Sequence, residues 1–153
     1  MFTSRMKFVY SDRKQIIRML FYLVHSRLED TAIQQKGFVL IIFEDGPFDL
    51  SKYDRKLDRA LLDYSNNVWP VRFVGLHHCF DAAIMELLLP FGLYMMGSAI
   101  RARYRIHPGK CKDDRLSHFE EAGIGAHCLP TIMGGTVEWD GNKWLETRRL
   151  QGK

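Results

Sequence analysis

Phe38-Val39-Leu40-Ile41-Ile42-Phe43 is an unbroken apolar run of strand length, bounded by Gly37 and by Glu44-Asp45-Gly46-Pro47. A strand with one wet face alternates apolar and polar residues. One that is apolar throughout is covered on both faces, as in a parallel sheet flanked by helices. Parallel neighbours need a crossover of about a dozen residues or more, and the chain supplies one. Ser51 with Asp54 forms an approximate capping box, and Leu50, Tyr53, Leu57, Leu61 and Tyr64 recur at helical spacing up to Asn66-Asn67. Val71 to Cys79, after Pro70, reads as the next strand. The expected fold class is therefore α/β, with a mostly parallel sheet as floor and helices flanking it.

The remaining elements extend this alternation. Ser11 is placed to cap a first helix over Arg13 to Asp30, with Ile16, Ile17, Leu20, Leu23 and Val24 on a broad apolar face. Asp81 opens an apolar helix through Leu89, which Pro90 is expected to end or kink for want of an amide donor. A further helix over Leu93 to Ala102 follows, then Arg103 to His107 as an edge or third strand. Asp113 or Asp114 caps a helix that Gly123 stops. Near the C-terminus, Asn142 suits a helix cap while Asp140-Gly141 between Trp139 and Trp144 equally suits a hairpin. There is no internal repeat or low-complexity tract, and residues 1–153 read as one domain.

Charge and cysteine content narrow the class. A net charge of +4 is too small to demand nucleic acid, and none is expected as a partner, but it is compatible with an anionic membrane surface. Three cysteines without close pairing, and no signal-peptide order at the N-terminus, predict a reducing, cytoplasmic setting. The longest uncharged stretch, Leu87 to Ile100, is 14 residues and is broken by Pro90, Gly92 and Gly97, whereas a membrane span needs about 20 apolar residues.

The search for covalent chemistry centres on His77-His78-Cys79, at a strand end before a helix. A phosphatase cysteine there would need a glycine-bearing phosphate loop and a following arginine, and Phe80 to Met85 supply neither. Strand alternation sends His77 and His78 to opposite faces, so they read as structural histidines rather than joint metal ligands. No Cys-x2-Cys or His-x3-His pair supports zinc, and nucleophile-elbow, Walker and dinucleotide motifs are missing. Glu44 and Asp45 read as turn formers. No enzyme activity, metal or cofactor is expected. What remains is Ile84 to Ile100, which reads either as a core helix pair or as a Met-rich, Pro-interrupted flap over an apolar ligand.

Four elements then carry a resemblance over residues 13 to 136. They are Lys36-Gly37-Phe38-Val39-Leu40-Ile41, Trp69-Pro70-Val71-Arg72, Leu89-Pro90-Phe91 with Ile106-His107, and Cys128-Leu129-Pro130 with Gly134-Gly135. In this order and spacing the chain resembles the CRAL-TRIO lipid-binding domain of retinaldehyde-, tocopherol- and phospholipid-transfer proteins. The resemblance implies a sheet-floored hydrophobic pocket closed by a mobile gate over Pro90 to Ile100. Pocket and gate would be lined by Phe73, Leu76, His78, Ile84, Leu88, Phe91, Tyr94, Met95 and Ile100. The basic residues Arg101, Arg103, Arg105 and Lys110 are the expected contacts with a transient membrane surface.

The departures from the family's pattern shape the ligand. Val71, Met96 and Ala99 stand where phosphatidylinositol-transfer members carry an acidic residue, a threonine and a lysine. A neutral or purely hydrophobic ligand is the expectation. Met1 to Tyr10 is too short for the family's N-terminal helical bundle, with Met6 to Tyr10 as the remnant of a leading strand, and an uncovered edge there would favour self-association or a partner protein. The function expected is binding, and transfer between membranes, of a lipid-like molecule by a cytoplasmic, peripherally membrane-associated protein. A protein-interaction module with a filled pocket and a small hydrolase using His78 or Cys79 are the competing readings.

Overall fold

The computed structural model describes residues 12–43, 53–80, 83–108 and 112–153, with backbone alone at 83–87, 108 and 112–115. These residues fall into two compact units, 12–108 and 112–153. In the first, helices α1 (Arg13–Arg27) and α2 (Thr31–Lys36) precede strand β1 (Phe38–Phe43). Helix α3 (Arg55–Asn67) then crosses to β2 (Phe73–Phe80), and α4 (Ala83–Met95) with the short α5 (Ser98–Arg101) crosses to β3 (Tyr104–Pro108). The three strands form one parallel sheet in the order β1-β2-β3. The fold is thus mixed α/β on a small open parallel sheet. Gly75 to Phe80 of the central strand are all buried, whereas β1, the apolar run expected to be covered on both faces, is an edge strand with no buried residue and leaves Val39 and Ile42 exposed.

Short polar side chains set the helix starts, at positions that differ in part from the sequence expectation. Ser11 and Ser51 lie outside the described residues. Asp12 caps α1, its carboxylate accepting from the Lys14 amide at 2.9 Å. Asp30 starts a helix instead of ending one, because its carboxylate accepts from the Ala32 amide at 2.9 Å; α1 therefore stops at Arg27 and α2 is separate. Asp54 caps α3 by accepting from the Lys56 and Leu57 amides, both at 3.1 Å. Arg13 Nε donates to its other oxygen at 2.5 Å and holds the Asp54 carboxyl below its ordinary range. Gly37 turns the chain into β1 at φ +82, and a Cβ there would sit 2.3 Å from the Arg72 carbonyl oxygen. The amide of Phe38 uses that same carbonyl at 3.0 Å.

Pro90 does not end the apolar helix. It lies inside α4, which continues to Met95, and it is exposed. The proline removes one intrahelical amide donor, and the helix nonetheless runs on to Met95. The chain breaks instead at Gly97, where a Cβ would lie 2.6 Å from Asn66 Oδ1 of α3. The second apolar helix is accordingly shorter than Leu93 to Ala102, spanning Ser98–Arg101 alone.

In the second unit, α6 (Lys112–Glu121) is followed by Gly123 at φ +78, and α7 (Gly141–Leu150) closes the chain. Between them stand two single 3-10 turns, Ala126–Cys128 and Thr131–Met133, and a bridge between Pro130 and Val137. Phe119, Leu129, Pro130 and Met133 are buried in this unit. Asp140, rather than Asn142, caps α7 by accepting from the Asn142 and Lys143 amides at 3.0 and 3.1 Å. The carboxylate satisfies two otherwise orphaned helix donors, which decides between helix and hairpin.

Gly134-Gly135 makes the tight return after Leu129-Pro130. Gly134 is left-handed at φ +92, and a Cβ on Gly135 would lie 2.0 Å from the Leu129 carbonyl oxygen. Gly135→Ala is expected to lower unfolding free energy in urea by about 3 kcal/mol through overpacking against backbone. Gly141→Ala, whose Cβ would meet nothing nearer than Trp139 Nε1 at 3.5 Å, is the tolerated control.

Candidate functional site

Alternation along β2 divides its side chains between the two faces of the sheet. Leu76, His78 and Phe80 share one face with Tyr104 of β3, since Leu76 is in register with Tyr104 and His78 with Ile106. Leu76, Phe80, Leu89, Ile100 and Tyr104 are buried together, with Leu40, Leu88, Leu93 and Met96 packed against them. This is the face that α4 and α5 cover. Helix α3 meets the same pair of helices at two points: the Arg55 guanidinium lies 5.3 Å from the centre of the Phe91 ring, and Asn66 abuts Gly97.

The residues expected to line a pocket and gate are distributed in three ways. Leu76, Leu88 and Ile100 join the apolar cluster between helices and sheet, and His78 lies beside it. Phe91 and Tyr94 point outward, 45% and 81% exposed, and Met95, next after Tyr94, is half-buried. Phe73 stands apart at the entry to β2, its ring 4.8 Å from that of Phe38 and 5.4 Å from that of Trp69. The side chain of Ile84 is outside the described residues, as is Lys110. Arg101, Arg103 and Arg105 are exposed, and each donates to a backbone carbonyl: Leu93 at 3.4 Å, Ala99 at 2.6 Å, and Tyr104 at 3.0 Å respectively. Arg101 thereby lies against the end of α4, one residue from Tyr94.

Two buried polar pairs link β2 to β3, one on each face. His78 Nδ1 and the Tyr104 hydroxyl are 2.5 Å apart, and the rings meet edge to face. On the opposite face His77 Nδ1 and His107 Nε2 are 2.7 Å apart, with their rings stacked at 4.9 Å and 13°. One imidazole donates and the other accepts, so the bond needs at least one neutral partner. Burial pushes the His77 imidazole below its ordinary value, and the positive charge of Arg105 adds to that shift. Cys79, in register with His107, is fully buried. His78 and Cys79 thus face opposite ways and are not brought together.

The sequence reading singled out neither Tyr104 as a site residue nor the pairing of His77 with His107. The alternation of Arg103 to His107 held part of that information, because it sets Tyr104 and His107 on opposite faces, but the register against β2 is tertiary. Among the described residues, no group of three or more His, Cys, Asp and Glu is placed to hold a metal ion, and no helix is long and apolar enough to cross a membrane. No protein-family model and no curated protein matches the chain.

The His77 shift has a defined sign. Its folded-state value lies below the ordinary 6.5, so the unfolded chain takes up a proton first as pH falls. Stability from this group is complete above 6.5 and declines below it. Chemical denaturation at stepped pH should give a stability that falls on acidification from 6.5, and His77→Gln should flatten that slope. An unchanged slope in the variant would assign the effect elsewhere.

Proposed function

We propose that this chain is a lipid-binding module of the CRAL-TRIO type, in which α4 and α5 act as the gate between a sheet-floored apolar site and a membrane surface. The observation that carries the reading is the two-sided apolar character of α4. A helix that only roofs a core has a polar outer side. Helix α4 has Glu86 as its sole charged residue. Its inner side packs Leu88, Leu89 and Leu93, while Phe91 and Tyr94 face outward. Exposed aromatic groups beside arginines suit the boundary between headgroups and acyl chains. Burying a Phe side chain there contributes about 1.5–3 kcal/mol, and each arginine near an anionic surface adds about 1 kcal/mol.

Lifting α4 from Leu76, Phe80 and Tyr104 would open a slot on the sheet. An acyl chain that replaced the helix contacts would gain about 0.8 kcal/mol per buried methylene. The four sequence elements shared with CRAL-TRIO domains, and the parallel sheet beneath an apolar crossover helix, support this assignment. The replacement of three polar positions by Val71, Met96 and Ala99 favours a neutral ligand over a phosphoinositide. A second reading rests on the packing of Leu89 and Ile100 directly onto Leu76, Phe80 and Tyr104. A module whose site is filled by its own side chains would use the outer side of α4 for a protein partner instead.

Native mass spectrometry and organic extraction of the purified full chain separate the two readings. Lipid binding predicts a co-purifying or exchangeable lipid, and protein that is empty and takes up no fluorescent lipid would exclude it. The double variant Phe91→Ser, Tyr94→Ser is expected to lower association with phosphatidylserine-containing vesicles at least tenfold, given two aromatic burials at about 1.5 kcal/mol or more each.

A further inference from the structure

We draw no further inference here: the strongest candidate, the apolar edge strand β1 with Val39 and Ile42 exposed at the rim of the parallel sheet, carries nothing because nothing among the described residues shows what covers it.

Discussion

The burial of β2 on both faces is the constraint from which the first unit follows. A six-residue stretch, Gly75 to Phe80, with no solvent-facing side can satisfy its backbone only by pairing on both edges, and β1 and β3 supply that pairing. Parallel pairing on each side forces two crossovers, which places α3 and the α4–α5 pair where they are. The small residue in this stretch also has a local reason: a Cβ on Gly75 would lie 3.0 Å from His77 Nε2, so the glycine makes room for the imidazole two positions on.

The same strand carries two histidine side chains into the interior, and the sheet pairs each of them with a residue of β3. His77 meets His107 and His78 meets Tyr104, each across the β2–β3 ladder. A buried charge would carry a desolvation cost of several kcal/mol, whereas neutral hydrogen-bonded partners avoid most of it. The downward shift at His77 expresses that preference for neutrality. Adjacent histidines therefore have distinct settings: one beside a second imidazole and near an arginine, the other against a phenol in an apolar cluster.

Helix α4 connects this interior to the outside. Its inner side is part of the core and its outer side presents Phe91 and Tyr94. Pro90 lies within α4, which ends at Met95, and Gly97 separates it from α5. That junction is held close to α3, since the Gly97 backbone abuts Asn66, while Arg55 covers the Phe91 ring from the same helix. Helix α3 thus meets the α4–α5 segment at two points, Phe91 and Gly97.

Strand and helix identities were legible in the sequence because they rest on local patterns: the apolar run Phe38 to Phe43, the periodicity of α3, and the turn glycines at 37, 123 and 134. Opposite faces for His77 and His78 followed from the period of a strand. Helix starts were less legible, since several nearby polar residues can cap and only backbone geometry selects Asp12, Asp30, Asp54 and Asp140. Pro90 marked a helix end in the sequence, but α4 runs through it. The partners of the buried histidines, and the outward turn of Phe91 and Tyr94, were decided by tertiary structure alone, because register between β2 and β3 and the packing of α4 on the sheet join residues 26 to 30 positions apart. The sequence by itself determined an α/β chain with parallel strands joined by helical crossovers; the tertiary structure determined that β2 rather than the apolar run of β1 is the buried strand, and which side chains meet, because burial depends on a strand's place in the sheet.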